Sequence, residues 1–211
     1  MNYISLGPTC SVAYQLEKLN LKKESLPFDW IRCNSIFNVL NLIKNNFEGF
    51  FEDLTHVKDS SSKFPFISDD DQQFDNIKEM ETKIYKSKHI GFFHDFKDGI
   101  SIDDVKEKYN RRIKRFYEKI RNKSVFIRDD IHFKNENIPY YNELNKILKE
   151  YNNENQLVLI ININRFADLS TLDKSIIVYF DDVKQTEWQH PAIQPFLLDI
   201  SSLNKEKFSP S

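Results

Sequence analysis

The chain has 211 residues, of which 40% are hydrophobic and 14% aromatic, so it can bury one sizeable core and is short for two domains. Its 30 Lys and Arg nearly balance 32 Asp and Glu, and the formal charge of −2 argues against nucleic acid or an anionic membrane as the main partner. We expect a single domain over residues 1–211. The sequence does not indicate an oligomeric state.

The two cysteines, Cys10 and Cys33, are too few for a disulfide framework or for a metal site built from thiolates. The chain does not open with a basic stretch followed by an apolar run. No segment reaches the roughly 18 uncharged apolar residues of a membrane span. The sequence therefore predicts a cytoplasmic protein with no membrane partner, no metal and no cofactor.

The first third of the chain is predicted to hold one strand, two helices and a connector. Residues 3–6 are a short strand that ends at Gly7-Pro8, and apolar residues recur at helical spacing from Cys10 onward. A second helix starts after Asn34 or Ser35, since either side chain can cap its first turn. The connector 26–30 cannot continue a helix because it contains a proline.

The next segment is polar. Residues 53–71 contain three consecutive serines and three consecutive aspartates, which predicts a long surface loop. A helix is expected after it, with Phe74, Ile77, Ile84 and Tyr85 roughly on one face. It leads into a short strand over residues 89–94.

The clearest element is a helix over residues 101–122. Ser101 and Asp104 have the spacing of a capping box, and apolar residues follow at helical spacing. Beyond it we predict strands at 124–128, 157–163 and 175–180, and a helix at 141–151. This alternation predicts a single α/β domain with a mostly parallel central sheet flanked by helices.

Functional side chains of such sheets gather at the carboxyl ends of strands. Cys10 falls on the first turn of a helix, where free N–H groups and the helix dipole favour thiolate over thiol. The alternative is an inert buried cysteine. A base for the thiol must be an imidazole, and we favour His94 over the other four histidines because it ends a predicted strand.

Four blocks of sequence resemble a known family. They are ISLGPTCSVA at residues 4–13, PFDW at 27–30, HDF at 94–96, and RRIKRF at 111–116 leading into VFIR at 125–128. In this order, over about residues 3–165, they are similar to a family of uncharacterised proteins classed as papain-like cysteine peptidases.

The resemblance implies a cysteine-dependent hydrolase of a peptide or other acyl substrate. Cys10 attacks the carbonyl and His94 takes the thiol proton. Asp29 is the preferred acid to orient the imidazole. Asp95 is the alternative, although neighbours on a strand point to opposite faces. The backbone N–H groups at Cys10 would hold the oxyanion, and the binding residues assigned beside the nucleophile and the acid are Gly7, Thr9 and Trp30.

A transferase or a nucleotide- or phosphate-binding α/β protein is the main alternative. Asp181 and Asp182 follow a buried strand, as do the paired acids with which many glycosyltransferases hold a divalent metal. The basic helix 101–122 could bind phosphate through Arg112 and Arg115, as could Arg128 at a strand end. The ordinary interpretations are turn acids and a solvated helix face with internal ion pairs.

Two further readings stay open. Glu187 lies three residues before His190, an arrangement similar to that of small α/β esterases, and it would make His190 the base instead of His94. Alternatively, the turn at Cys10 is structural and the domain is a non-catalytic binding module.

Overall fold

The computed structural model describes residues 1–60, 82–130, 133–162 and 168–181. In chain order, its strands are β1 (Asn2–Ser5), β2 (Ile31–Arg32), β3 (Thr55–Ser60), β4 (Thr82–Lys86), β5 (Gly91–Phe96), β6 (Ser124–Asp129), β7 (Gln156–Asn162) and β8 (Ile177–Asp181). Its α-helices are α1 (Ser11–Lys18), α2 (Ile36–Lys44), α3 (Ile102–Ile120) and α4 (Ile138–Tyr151).

A parallel four-stranded sheet forms one half of the core. Its order is β1-β6-β7-β8, and all three neighbouring pairs are parallel. Side chains alternate between its faces: Phe126 packs with the helices α2, α3 and α4, whereas Val125 and Ile127 pack with α1. Both faces are therefore covered, which explains why these strands are apolar at almost every position. The predicted α/β fold class is confirmed.

A second, antiparallel sheet has the order β2-β5-β4-β3, and the sequence did not predict it. Residues 55–60 form its edge strand β3, so the expected loop 53–71 is wrong over that stretch. Ile84 and Tyr85, expected on a helix, lie in β4. Tyr85 stacks on Phe96 of β5 with ring centroids 4.0 Å apart, and such cross-strand aromatic pairs stabilise a sheet. Phe74 and Ile77 lie outside the described residues.

Two helices, α2 and α3, begin where their caps predict, whereas α4 begins at Ile138, three residues before the predicted start. Ser101 Oγ accepts from the backbone N–H of Asp104 at 3.1 Å, and Asp104 Oδ2 accepts from that of Ser101 at 2.9 Å. Ser35 Oγ caps α2 by accepting from the Asn38 backbone N–H. None of the helices in the described ranges is long and apolar enough to cross a bilayer.

Candidate active site

Cys10 is the N-cap residue of α1, and a tight turn connects it to β1. Gly7 has a φ of 77°, which a glycine adopts without a steric penalty. Between them, Thr9 Oγ1 lies 3.0 Å from Ser11 Oγ and accepts a 3.4 Å hydrogen bond from the Ser11 backbone N–H. Gly7 and Thr9 thus shape the turn that leads to the cysteine.

The thiol of Cys10 is free and half-buried. It packs against a small cluster formed by Ala13, Tyr14 and Trp30. Burial raises the pKa of the Cys10 thiol, and a backbone hydrogen bond and the charge of Arg32 oppose the shift without cancelling it. The sequence argument from the helix N-terminus expected the reverse. Because the free thiol stays protonated at neutral pH, nucleophilic chemistry at Cys10 needs a base.

Trp30 links this cluster to His94. The His94 imidazole is buried in β5, and its ring centroid lies 6.4 Å from that of Trp30 in an edge-to-face contact. Trp30 Nε1 donates to Ser25 Oγ at 3.1 Å, and Lys22 Nζ lies 5.0 Å from the centroid of the indole. The predicted base therefore contacts Trp30, and the predicted nucleophile packs against the cluster to which Trp30 belongs.

Asp29 directly precedes Trp30 in the chain, and its side chain is fully buried. Its Oδ2 accepts hydrogen bonds from Lys22 Nζ and from the Leu26 backbone N–H, both at 2.6 Å. Its Oδ1 accepts no hydrogen bond from the described part of the chain. Lys22 also pairs with Glu17 at 2.9 Å. Asp29 therefore anchors a buried lysine and keeps one oxygen available.

Asp95 faces α3. Its Oδ2 accepts a hydrogen bond from the Tyr109 hydroxyl at 2.9 Å, and its Oδ1 lies 2.7 Å from Lys108 Nζ and 3.7 Å from Arg112 Nη1. Burial, followed by the charge of Asp95, raises the pKa of Tyr109. Both carboxylate oxygens of Asp95 thus have partners, whereas in Asp29 only Oδ2 has them among the described residues.

Comparison with known proteins agrees with the four sequence blocks. Residues 1–178 match the profile of the family described as "Putative papain-like cysteine peptidase (DUF1796)". The chain belongs to this family. It is also 42% identical over 139 residues to "Uncharacterized protein R408" of Acanthamoeba polyphaga mimivirus, a match that spans 61% of each chain. No solved structure matches the chain.

In this member of the family, Arg128 is an internal anchor of the turn that carries Cys10. Its fully buried guanidinium donates to the carbonyls of Leu6 at 2.8 Å and Asn34 at 2.7 Å, and to that of Cys33 at 3.3 and 3.4 Å. The Cys33 N–H in turn donates to the Pro8 carbonyl at 3.0 Å. Burial lowers the pKa of Arg128.

The other predicted binding arginines are also engaged within the protein. Arg112 is fully buried against Asp95. Arg115 is half-buried, lies 3.9 Å from Glu24 and donates to the Ser25 carbonyl at 3.3 Å. These contacts are of the internal kind that the ordinary interpretation of the basic helix predicts.

The residues of the remaining hypotheses fall largely outside the described ranges. Asp181 is the last residue of β8, paired with Asn162 in the ladder, but its side chain is not described. Asp182, Glu187 and His190 lie outside the described residues. Among the residues that the structure does describe, no group of three or more His, Cys, Asp or Glu side chains could hold a metal ion.

Sequence reasoning missed two cations near Trp30, namely Lys22 and Arg32. Lys22 is buried although it sits in a polar stretch of the chain, and no periodicity marks it. Arg32 lies only two residues after the tryptophan, so its position beside the PFDW block was the one signal that could have pointed to it.

Proposed function

We propose that this chain is a thiol-dependent hydrolase that cleaves a peptide or another acyl substrate, with Cys10 as the nucleophile and His94 as its base. The observation that carries this proposal is the position of Trp30. It belongs to the cluster against which Cys10 packs, and its ring contacts the imidazole of His94. Membership of the papain-like cysteine peptidase family supports the same assignment.

In the acylation step, His94 accepts the proton of the Cys10 thiol, and the sulfur forms a bond to the carbonyl carbon of the substrate. The carbonyl electron pair moves onto oxygen. When it returns, the bond to the amine or alcohol breaks, and that leaving group takes the proton from His94. The enzyme is left as a thioester on Cys10.

Hydrolysis of the thioester reverses the proton path. His94 accepts a proton from water while the water oxygen bonds to the acyl carbon. Collapse of this second intermediate breaks the carbon–sulfur bond, the sulfur regains its proton from His94, and a carboxylic acid leaves. Backbone N–H groups at the start of α1 would stabilise both oxyanions, since such donors need no reorganisation.

Asp29 is the acid that we assign to orient His94. It directly precedes Trp30, its side chain is held by Lys22, and its Oδ1 remains available within the described part of the chain. Asp95 is less suited because Tyr109 and Lys108 already occupy its two oxygens. An orienting carboxylate also stabilises the imidazolium that forms during the reaction.

The first test is the pH dependence of alkylation by iodoacetamide, with each cysteine followed by mass spectrometry. A Cys10–His94 pair gives a reactivity shoulder between about pH 5 and 8, where imidazole titrates. His94→Phe should abolish the shoulder while keeping an aromatic ring beside Trp30. His56→Phe is the matched control, because His56 lies exposed on β3. If the alkylation rate of Cys10 rises only above pH 8 and is the same in His94→Phe, Cys10 and His94 do not act as a pair.

The second test is hydrolysis of an activated ester, 4-nitrophenyl acetate. Acylation of Cys10 should release a burst of nitrophenolate equal to the enzyme concentration, followed by slower turnover. Cys10→Ala should lose the burst, whereas Cys33→Ala should retain it because Cys33 is buried. Equal bursts from both variants would exclude Cys10 as the nucleophile.

A further inference from the structure

Arg32 presents an exposed positive charge beside the nucleophile. It belongs to β2, its side chain faces solvent, and the next residue, Cys33, is hydrogen-bonded to the Pro8 carbonyl at 3.0 Å. This bond joins the end of β2 to the turn that carries Cys10. The guanidinium is close enough to lower the pKa of the Cys10 thiol.

The side chain of Arg32 rests on an aromatic support. Its Cζ lies 4.3 Å from the centroid of the Phe93 ring. Arg32 is opposite Gly91 in the β2–β5 ladder. A Cβ at Gly91 would lie 2.9 Å from Phe93 Cε2, so the missing side chain is what lets the ring occupy this place. A guanidinium stacked on a ring keeps its edge N–H groups available for other partners.

Arg32 differs from Lys22 and Arg115, two other cations described near the site. Lys22 is paired with Asp29 and Glu17, and Arg115 lies against Glu24. Across the described ranges, by contrast, the contact of Arg32 is with Phe93, and no carboxylate pairs with it. An exposed arginine without an acid partner, next to a nucleophile, is suited to receive an anionic group from outside.

We propose that Arg32 selects acyl substrates that carry a carboxylate next to the bond cleaved at Cys10. The planar fork of a guanidinium matches a carboxylate through two parallel hydrogen bonds. The contact with the Phe93 ring restricts the positions that the guanidinium can take. This inference deepens the proposed function and rests on Cys10 being the nucleophile.

The probe is a pair of alkylating agents of similar size, anionic iodoacetate and neutral iodoacetamide. The ratio of their rates at Cys10 cancels the thiolate fraction, and division by the same ratio for free cysteine at the same pH cancels the difference in intrinsic reactivity between the two reagents. Wild-type protein should favour iodoacetate, and Arg32→Gln should lower the normalised ratio by about fivefold, the size of a favourable exposed ion pair. The preference should also shrink in high salt.

Two further variants sharpen the result. Arg32→Lys keeps the charge without the planar fork and should give an intermediate ratio. Arg121→Gln removes an exposed arginine at the end of α3 and should leave the ratio unchanged. A wild-type ratio equal to that of free cysteine, or an equal fall in Arg32→Gln and Arg121→Gln, would overturn the role of Arg32.

The two proposals fail in different ways. If Cys10 shows the His94-dependent shoulder but its preference for iodoacetate is unchanged in Arg32→Gln, the Arg32 proposal is wrong and the proposed function stands. If neither reagent alkylates Cys10 in the folded protein, both proposals are wrong. All four proteins should stay folded in urea titrations with similar midpoints, because the side chains of Arg32 and Arg121 are exposed and an exposed cation–π contact contributes at most about 1 kcal/mol.

Discussion

The rings of Trp30 and His94 pack edge to face, with their planes inclined at 80°. This contact joins the connector after α1 to the antiparallel sheet. The indole is also fixed by a hydrogen bond to Ser25 and by the ammonium group of Lys22 over its ring. Cys10 packs against the cluster that contains Trp30, so a change at the indole alters the surroundings of both the thiol and the imidazole.

Removal of this indole should therefore affect both stability and thiol reactivity. We expect Trp30→Ala to lower the free energy of unfolding by about 3–5 kcal/mol, the usual cost of deleting a buried aromatic side chain. Trp30→Phe should cost less because it keeps an apolar ring in the space. Urea unfolding followed by circular dichroism measures both values.

The Phe variant separates packing from positioning. If Trp30 sets the geometry of Cys10 and His94, Trp30→Phe should weaken the low-pH shoulder of Cys10 alkylation while the protein stays folded. A folded Trp30→Phe protein with an unchanged alkylation profile would show that the indole only fills space.

The elements predicted well are those whose signals are local. The helix α3, which Ser101 caps, was predictable because its cap and its apolar spacing lie within one segment. The strands β3 and β4 were missed because their pairing depends on residues far apart, such as Tyr85 and Phe96. A short polar strand at a sheet edge also resembles a loop in sequence.

The local positions of the candidate residues were more predictable than their electrostatics. The predicted place of Cys10 at a strand-to-helix turn agrees with the structure. His94 does lie on a strand, but the predicted strand end at His94 is wrong, because β5 continues to Phe96. The direction of the pKa shift of Cys10 does not follow from local pattern, since burial by Trp30 and its neighbours comes from tertiary packing. For the same reason, nothing local showed that Arg128 would be enclosed by three backbone carbonyls.

Arg128 should be among the most sensitive positions for stability. Arg128→Met keeps much of the side-chain volume but leaves the buried carbonyls of Leu6, Cys33 and Asn34 without their donor. We expect a loss of about 3 kcal/mol, since buried acceptors left unpaired cost their full desolvation. Arg121→Met, at an exposed position, should change stability by less than about 0.5 kcal/mol. Equal effects would contradict the anchoring role.

The buried pair of Lys22 and Asp29 should behave differently from an exposed pair. Asp29→Asn keeps the shape of the side chain but removes the charge that faces Lys22, whose side chain is 3% exposed. We expect a loss of about 3 kcal/mol, as is typical when one partner of a buried ion pair is neutralised.

The matched control for that variant is Asp103→Asn. Asp103 pairs with Lys106 at 3.9 Å, and its side chain is 92% exposed. Such a pair contributes less than about 1 kcal/mol. Urea unfolding of both variants at pH 7 gives the comparison, and similar small losses in both would mean that Asp29 does not stabilise a buried lysine.

Cys33 should make the protein less stable in alkali. Its thiol is buried and donates weak hydrogen bonds to the carbonyls of Ser35 at 3.8 Å and His89 at 3.7 Å, and burial raises its pKa from 9.0 to about 11. The folded state therefore holds this proton more tightly than the unfolded state. The stability that the proton contributes is complete below pH 9 and is lost as the pH rises toward 11.

At pH 10.5 the loss due to Cys33 should reach about 2 kcal/mol relative to pH 7.5, given 1.36 kcal/mol for each unit of pKa shift. Urea unfolding at the two pH values measures the total loss, to which other buried groups such as Tyr109 also contribute. Cys33→Ala cannot titrate, so it should lose about 2 kcal/mol less than the wild type over the same interval. The small cavity left by alanine costs the same at both pH values and cancels in the difference. If both proteins lose equal stability between pH 7.5 and 10.5, the Cys33 thiol ionises as readily in the folded state as in the unfolded chain.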